Sequence, residues 1–245
     1  MKKIIRRILM IAMISQMLSI NALASDKIKI DIVSDVVCPW CAIGYQKLSN
    51  AIKELDATDK VEIVWHPFQL NPDMPREGKN ANKYLMDKLG LNEEQLIEKR
   101  KSVAKIGEES GFKFDYFKKM RKVNTFNAHI LLDYAKDFHK QTELKVRLQQ
   151  AYFAEHKDIS NREILYAELK AVGLNADEAM KTLDDKKVIQ RVEDEEKYWR
   201  ARGVYAIPTM VFDEEHTLVG ANEVSTYKEL LQELINKRKE NKVLK

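Results

Sequence analysis

The residues with the clearest chemistry are Cys38 and Cys41, the two cysteines of this 245-residue chain, which share one Cys-Pro-Trp-Cys sequence. Residues three apart on the first turn of a helix bring their side chains within disulfide range. A cysteine at a helix N-terminus meets unpaired backbone N–H groups and the positive end of the helix dipole, and both favour its thiolate. Pro39 suits the first helical position, where its missing N–H costs nothing. The spacing predicts a redox-active dithiol, with Cys38 as the attacking thiol and Cys41 as the more buried resolving thiol.

The same two cysteines also fit half of a zinc site or an inert structural bridge. A zinc site needs two more ligands, and the chain has neither a second cysteine pair nor a His-x-x-x-His sequence. A bridge between residues three apart closes a loop too small to stabilise a fold much. Thiol–disulfide chemistry is therefore the favoured interpretation. It needs no metal and no cofactor other than the Cys38–Cys41 disulfide itself.

The elements that must position this pair have the pattern of a mixed α/β fold. Apolar and polar residues alternate over 28–32 and again over 61–65, which predicts two strands. Apolar residues at three-and-four spacing over 41–55 predict an amphipathic helix between them, so this segment is a βαβ unit. Residues 209–219 predict a β-hairpin with the four-residue loop Asp213 to His216. A C-terminal amphipathic helix is predicted around 227–234.

Residues 76–200 are expected to form a helical insertion between these two halves. No proline occurs from 76 to 207, and apolar stripes recur there at helical spacing. Asn92 with Gln95 predicts a capping box that opens one of the helices. The chain then divides into a leader (1–24), an N-terminal half-domain (25–75), the insertion (76–200) and a C-terminal half-domain (201–245). The order βαβ, helices, ββα closes the two halves into one sheet, with the helices as a second lobe.

Residues 1–24 have the parts of a bacterial secretory signal peptide. Four basic residues within 2–7 precede an uncharged, mostly apolar run over 8–20, and Ala22-Leu23-Ala24 forms a cleavage site. The alternative is a membrane anchor, but the run is shorter than the ~20 residues that span a bilayer. We expect cleavage, no membrane span in the mature chain, and a periplasmic or otherwise extracytoplasmic location. A disulfide persists and can be used in such a compartment.

The net charge of +4 belongs to this leader rather than to the mature protein. The leader holds four of the 42 basic residues and no acidic residue, so the remaining chain carries 38 charges of each sign. A neutral mature chain gives no reason to expect nucleic acid or an anionic membrane as a partner. The composition, 44% hydrophobic and 33% charged, is that of a soluble globular protein.

Several segments together resemble a known family. A Cys-x-x-Cys at the start of the first helix, with Ile207-Pro208-Thr209 opening a late strand, is similar to the thioredoxin fold. The long helical insertion resembles the DsbA family of thiol–disulfide oxidoreductases within that fold. Three segments resemble the FrnE-like branch of the family, and the likeness extends over about residues 27–235. These segments are Ser34–Cys41, Phe68–Met74 and Val123–His129.

The resemblance implies an exported thiol–disulfide oxidoreductase that forms or rearranges disulfides in client proteins through a mixed disulfide on Cys38. An oxidase is the first choice and an isomerase the second. Pro208, an ordinary loop proline in isolation, would be the family's cis-proline facing the cysteines, and the Ile207 backbone would pair with a substrate peptide. Pro39 and Trp40 complete the expected substrate-binding residues. The implied partners are unfolded or misoxidised exported proteins and a membrane quinone-linked recycling oxidase.

The chain departs from the family pattern at three points. Trp40 stands where DsbA has a histidine that helps stabilise the thiolate, so we expect a less depressed pKa of Cys38 and a weaker oxidant. Ile32 stands where many thioredoxin-like proteins have a buried acid that relays a proton to the second cysteine. Asp35 is the candidate for that relay, and a solvated cap or turn role is its alternative. The leader is the third departure, because many FrnE-like proteins lack one.

Two other functions stay open from the sequence. Glutathione-dependent transferases or isomerases of the kappa or hydroxychromene-carboxylate isomerase type resemble the same fold. They typically have a serine in place of Cys38 and do not keep the second cysteine, so the intact pair argues against them. The other is a binding module or chaperone whose redox pair is incidental. His66 and His129 lie in family-like stretches, and we expect them to be ordinary hydrogen-bonded or surface histidines.

Overall fold

The structure, a computed structural model, describes residues 27–243, with side chains through Asn241. The predicted leader, residues 1–24, lies outside the described residues. The strands are β1 (Ile28–Ser34), β2 (Val61–Pro67), β3 (Lys79–Asn80), β4 (Arg121–Lys122), β5 (Thr209–Phe212) and β6 (His216–Val219). The helices are α1 (Pro39–Glu54), α2 (Ala81–Leu89), α3 (Glu93–Ser110), α4 (Phe126–Lys136), α5 (Gln141–Phe153), α6 (Arg162–Ala171), α7 (Ala176–Thr182), α8 (Lys186–Ala201) and α9 (Val224–Val243). A 3₁₀ turn, Thr58–Lys60, precedes β2.

The main sheet joins the two ends of the described chain. Its strand order is β2-β1-β5-β6, with β1 parallel to β2 and antiparallel to β5. The predicted βαβ unit and hairpin are therefore confirmed. The hairpin loop is one residue shorter than predicted, because His216 pairs with Phe212 as the first residue of β6. Asp213 and Glu214 in this loop have φ values of 50° and 62°, the left-handed conformation that tightens the turn.

One face of the sheet is covered by α1 and α9. The alternating isoleucines of β1, such as Ile30, pack with Leu48 of α1 and with Tyr227 and Leu231 of α9. Burying each of these large apolar side chains is worth roughly 1.5–3 kcal/mol. The other face holds a smaller cluster in which Val33, Phe68 and Trp199 meet. The helix that carries the two cysteines is thus fixed to the centre of the sheet.

The segment between β2 and β5 is helical, as the sequence predicts, and its apolar core also takes in Ala42 and Ile43 of α1. The capping box is confirmed: the Gln95 N–H donates to Asn92 Oδ1 at 2.8 Å, and the Asn92 N–H donates to Gln95 Oε1 at 2.9 Å. The segment also contains the short antiparallel ladder of β3 and β4, which the sequence does not predict. A two-residue ladder has no hydrophobic period to detect. The predicted boundary at residue 75 falls in the loop after β2, and the one at residue 200 falls in the last turn of α8. The assignment of separate domains stays a prediction.

The helical segment packs on the free edge of β2. One of its side chains makes the two backbone hydrogen bonds that a neighbouring strand would otherwise make. The Trp65 N–H donates to Gln141 Oε1, and Gln141 Nε2 donates back to the Trp65 carbonyl, both at 2.9 Å. The Trp65 indole N–H donates to Thr142 Oγ1 at 2.9 Å. An edge strand leaves such backbone groups unpaired, and here the first turn of α5 satisfies them. This contact holds α5 against the sheet. The buried face of α5 then lies at the end of β1, where Lys145 contacts the Ser34 carbonyl. Among residues 27–243, no helix is both long and apolar enough to cross a bilayer.

Candidate active site

The two cysteines lie at the start of α1, as the sequence predicts. Cys38 is the residue that caps the helix, and Pro39 is its first helical residue. The N–H groups of Cys41 and Ala42 donate to the Cys38 carbonyl at 3.2 and 3.3 Å. Cys38 is 4% exposed and Cys41 is fully buried, and both are free thiols. Cys38 is thus the less deeply buried of the two.

The two thiols have opposite electrostatic environments. The Cys41 thiol hydrogen-bonds to Cys38 and lowers its pKa, although burial opposes this, and the Cys41 backbone N–H helps. Burial raises the pKa of Cys41 well above its usual value, and a charge on Cys38 raises it further. The first proton of the pair therefore leaves from Cys38. This division matches the predicted roles of attacking and resolving thiol.

Pro208 packs against α1 one turn beyond Cys41. The Ile207–Pro208 bond is cis. A Cβ atom at Gly44 would lie 3.1 Å from Pro208 Cγ, so the absence of a side chain at Gly44 permits this approach. The Pro208 carbonyl accepts a hydrogen bond from the Gly220 N–H at 2.8 Å, which ties the start of β5 to the end of β6.

Two exposed aromatic side chains lie close along the chain to the cysteines and to Pro208. Trp40, between the cysteines, is 39% exposed, and Tyr205, two residues before Ile207, is 76% exposed. Ile207 is partly exposed. Exposed aromatic side chains offer large contact area at low entropic cost. The substrate-binding roles of Pro39, Trp40, Ile207 and Pro208 stay predictions.

Asp35 is buried behind the dithiol, so the solvated alternative for this residue is wrong. The Leu70 N–H donates to Asp35 Oδ2 at 2.8 Å, and His129 Nε2 lies 3.5 Å from Oδ1. Burial disfavours the charged carboxylate, but the contacts with His129 and Leu70 outweigh it and lower the pKa of Asp35. Asp35 is therefore a standing negative charge at neutral pH. Its role as a proton relay stays a prediction.

Two buried lysines near the cysteines were missed by the sequence reasoning. Lys145 of α5 is 1% exposed, and Lys122 of β4 is also buried. Burial lowers the pKa of Lys145 to about 8, although Cys41, Asp35 and Cys38 favour its charged form. Burial likewise lowers the pKa of Lys122, against the attraction of Asp35 and Cys38. One sequence signal was present: Lys145 lies beside Leu144 and Leu148, on the edge of the apolar stripe of α5.

The two histidines of the family-like segments are both buried, so neither is a surface residue. His66 is hydrogen-bonded at both ring nitrogens: Nε2 lies 2.7 Å from Asp31 Oδ1, and Nδ1 lies 2.6 Å from Glu195 Oε1. Burial opposes its protonation, but the two carboxylates raise its pKa. His129 instead faces Asp35. Among residues 27–243, no group of three or more histidine, cysteine or acidic side chains is arranged to hold a metal ion.

A dithiol at the N-terminus of the first helix of a β2-β1-β5-β6 sheet, with a cis-proline before β5, defines a thioredoxin-like protein. The comparison with protein families agrees. The family model described as a DSBA-like thioredoxin domain matches residues 29–232. The chain belongs to this family of DsbA-like thiol oxidoreductases.

Individual proteins of known sequence or structure are similar to the chain. The uncharacterized protein YwbO of Bacillus subtilis is 26% identical over 186 residues, 75% of this chain and 86% of its own. The crystal structure of a probable DsbA oxidoreductase from Streptomyces coelicolor has a TM-score of 0.79 at 23% identity, over 84% of this chain and 89% of its own.

Two further solved structures share the fold at lower identity. A 2-hydroxychromene-2-carboxylate isomerase has a TM-score of 0.64 at 12% identity, over 86% of this chain and 98% of its own. The cytosolic disulfide reductase DsbM of Pseudomonas aeruginosa has a TM-score of 0.61 at 15% identity, over 85% and 98%. The fold is thus shared by enzymes of different chemistry.

Proposed function

We propose that this protein is an exported thiol–disulfide oxidoreductase that forms or rearranges disulfides in client proteins through a mixed disulfide on Cys38. The observation that carries the proposal is the placement of both thiols on the first turn of α1, with Cys38 as the capping residue and Cys41 fully buried. A lowered pKa makes Cys38 the more readily ionised thiol and the better leaving group, while a raised pKa keeps Cys41 protonated until it is needed. Membership of the DsbA-like family supports the same chemistry.

The proposed cycle begins with the Cys38–Cys41 disulfide. A client thiolate attacks Cys38 Sγ, the S–S bond between the cysteines breaks, and Cys41 leaves with the electron pair. A second client thiolate then attacks the client sulfur of the mixed disulfide. The client disulfide forms, and Cys38 leaves as the stabilised thiolate. The client loses two electrons, and the protein gains them as a dithiol.

The groove that holds the client is proposed to run between Trp40 and Ile207. The client backbone would pair with Ile207 as an added strand, and its apolar side chains would contact Trp40. The proposed clients are unfolded or misoxidised exported proteins, which expose such side chains. Pro39 and Pro208 are proposed to border the same groove.

Oxidase activity is the first choice and isomerase activity the second. A stabilised Cys38 thiolate favours the reduced form, which makes the disulfide an oxidant. Trp40 adds no positive charge there, so the oxidant is proposed to be weaker than one with histidine at that position. An oxidase must be reoxidised, and a membrane quinone-linked oxidase in the periplasm is the proposed partner. The export signal and the FrnE-like segments belong to this proposal.

The first experiment measures the reduction potential of the Cys38–Cys41 pair. Purified protein is equilibrated with glutathione buffers, and the redox state is followed by the fluorescence of Trp40, with Trp40→Phe as the control for the probe. A potential between about −120 and −200 mV supports an oxidase or isomerase in an exported compartment. A potential of about −270 mV means a reductase instead. Absence of a reversible disulfide rejects the proposal.

A second experiment traps the client intermediate. Cys41→Ser protein lacks the resolving thiol, so mixed disulfides on Cys38 are expected to accumulate with reduced client proteins. Cys38→Ser protein is the matched control and should trap none. The glutathione-dependent alternative is suggested by the fold shared with the hydroxychromene-carboxylate isomerase. It predicts that Cys41 is not needed for activity. Its activity towards small electrophiles would survive in Cys41→Ser.

A further inference from the structure

Residues of α2, of α3 and of the segment that follows α3 line a cleft in the helical part of the chain. Its volume is about 440 Å³, which is within the range of small-molecule binding sites. The lining is apolar where Leu96 and Ala104 contribute, and aromatic where Phe114, Tyr116 and Phe117 contribute. The Phe114 and Tyr116 rings are stacked, with their centres 5.7 Å apart. The cleft therefore offers surface that suits an apolar or aromatic body.

One arginine of this lining has no counter-charge. Arg100 Nη1 donates to Asn82 Oδ1 at 2.6 Å, and Arg100 Nε is buried with no hydrogen-bond partner among the described residues. The guanidinium lies 5.0 Å from the centre of the Tyr116 ring. The groups that favour its charge are Tyr116 and Tyr152, whose pKa values burial raises, so neither is ionised at neutral pH. An arginine keeps its charge and is rarely buried unpaired, so this one calls for an anion.

Other partly buried arginines of the described chain have that anion. Arg200 Nη2 lies 2.8 Å from Glu196 Oε1, and Arg238 Nη2 lies 2.7 Å from Asp213 Oδ2. No carboxylate among residues 27–243 forms such a pair with Arg100. The difference indicates that the partner of Arg100 comes from outside the chain.

The charges around the cleft favour a ligand with a single negative charge. The lining contains three basic side chains, Arg100, Lys101 and Lys118, and one acidic side chain, Glu93. Lys101 is already paired at 2.7 Å with Glu98. One positive charge of the three thus remains uncompensated. The planar guanidinium fork matches the geometry of a carboxylate.

The cleft has little to offer a peptide backbone. Its lining residues lie on α2 and α3 and within 114–118, and none of them belongs to a strand. The backbone groups inside a helix bond to one another, so they cannot pair with the N–H and C=O groups of a peptide as a strand edge does. A ligand without amide groups is therefore favoured.

We propose that this cleft binds a small carboxylic acid with an aromatic or alkyl body. The carboxylate pairs with Arg100, which Asn82 holds in place, and the body contacts Leu96 and the rings of Phe114 and Tyr116. The site is distinct from the dithiol, and the proposal does not rest on the oxidoreductase function.

The test is a calorimetric titration of the purified protein with 4-phenylbutyrate. We expect one site per chain and a Kd of about 0.1 mM or tighter. 4-Phenylbutan-1-ol lacks the charge and butyrate lacks the ring, so each should bind at least tenfold more weakly. In protein with isotope-labelled arginine, the Arg100 Nε–H resonance should move as the site fills. No saturable binding up to about 5 mM, or equal binding of the alcohol, would overturn the proposal.

Variants separate the charge of the site from its fold. Arg100→Gln should weaken 4-phenylbutyrate binding at least tenfold and leave binding of the alcohol unchanged. Ile97 also lines the cleft and is 47% exposed, so Ile97→Glu adds a negative charge without disturbing the core. It should weaken the acid at least fivefold, and Ile97→Gln is its uncharged control. Lys105→Met removes an exposed lysine of α3 outside the lining and should have no effect.

The Ile97 pair decides the matter if Arg100→Gln does not fold. Equal affinity for 4-phenylbutyrate in Ile97→Glu and Ile97→Gln would overturn the proposal. The capped peptide acetyl-Phe-Glu-amide carries a ring and a carboxylate on a peptide backbone and should bind at least fivefold more weakly than the acid. Tighter binding of the peptide would make the cleft a client site and overturn the free acid as its ligand. Cys38→Ser should bind the acid normally, which keeps this test independent of the thiol chemistry.

Discussion

Gly44 and Pro208 touch across the two halves of the sheet domain: a Cβ atom on Gly44 would lie 3.1 Å from Pro208 Cγ. Gly44 belongs to the helix that carries the cysteines, and Pro208 belongs to the segment that enters β5. The same added Cβ would lie 3.4 Å from the Ala221 Cα and from Met210 Cε. The distance between the dithiol helix and the proposed substrate edge is therefore set by the lack of a side chain at one position.

We predict that Gly44→Ala slows mixed-disulfide formation about tenfold, since small misplacements at a reacting site have large effects on rate. The free energy of unfolding should change by less than about 1 kcal/mol, because the gain in helix propensity offsets the tighter contact. Single-turnover kinetics with oxidised glutathione and urea denaturation measure the two effects. Ser49→Ala on the same helix is the control and should leave the rate unchanged. A wild-type rate in Gly44→Ala would show that this contact does not set the site.

The low pKa of Cys38 should depend on the donor at position 41. We predict that Cys41→Ala raises the pKa of Cys38, because the Cys41 hydrogen bond is the largest cause of its depression. Cys41→Ser keeps a hydroxyl donor and should retain most of the depression. The ultraviolet absorbance of the thiolate against pH measures this directly. Equal Cys38 titrations in the two variants would assign the depression to the helix N-terminus instead.

The His66 cluster should make stability depend on pH. Burial opposes protonation of His66, but Asp31 and Glu195 raise its pKa above the usual 6.5. The stability from the charged ring is therefore fully present below pH 6.5 and is lost as pH rises through the higher folded pKa.

His66→Gln should accordingly cost about 1–3 kcal/mol near pH 6, where it removes a charged partner of the buried Asp31 carboxylate and leaves Lys29 as its remaining one, and less at high pH. Urea denaturation from pH 5.5 to pH 9 measures the difference. His216→Gln, at a half-exposed site in β6, is the control and should show no such trend. A cost that stays constant with pH would mean that the ring is neutral in the folded protein.

Gly107 in α3 has no room for a side chain. An added Cβ would lie 2.4 Å from two carbons of the Phe114 ring and 2.8 Å from the Phe112 carbonyl oxygen. We predict that Gly107→Ala destabilises the protein by about 1–3 kcal/mol in urea denaturation, despite its better helix propensity. Combining it with Phe114→Leu should recover part of the loss relative to the sum of the two single changes. Strict additivity would mean that the ring is not the obstacle.

The sequence predicted the elements whose signals are local. The type and spacing of Cys38 and Cys41 predict a dithiol, and Pro39 indicates where their helix begins. The isoleucines of β1 alternate because one face of the sheet is buried. The capping box of Asn92 and Gln95 lies within four residues of chain. Each of these features depends on residues that are close along the sequence. Each can therefore be predicted without knowledge of the fold.

The electrostatic partners of the dithiol could not be predicted in this way. Lys145 lies buried beside the Ser34 carbonyl because Gln141, one turn earlier, pairs with the β2 backbone. A lysine in a helix usually faces water, and the sequence offers no sign of a docking partner 76 residues away. His129 was expected to be hydrogen-bonded or exposed, and it is buried with its Nε2 3.5 Å from Asp35 Oδ1. Such placements depend on how helices pack on the sheet, which local patterns do not encode.

The cysteines and the groups that surround them come from different segments of the chain. The sheet domain supplies the dithiol, and the helical insertion supplies Lys122, His129 and Lys145. A substitution at one of these three positions would alter the charge beside the dithiol without changing the cysteines. The insertion also supports the dithiol helix, because Ala42 and Ile43 of α1 belong to the same apolar cluster as the insertion's helices. One segment therefore carries both the electrostatic surroundings and the mechanical support of the dithiol, so replacing it would change the reduction potential and the stability together.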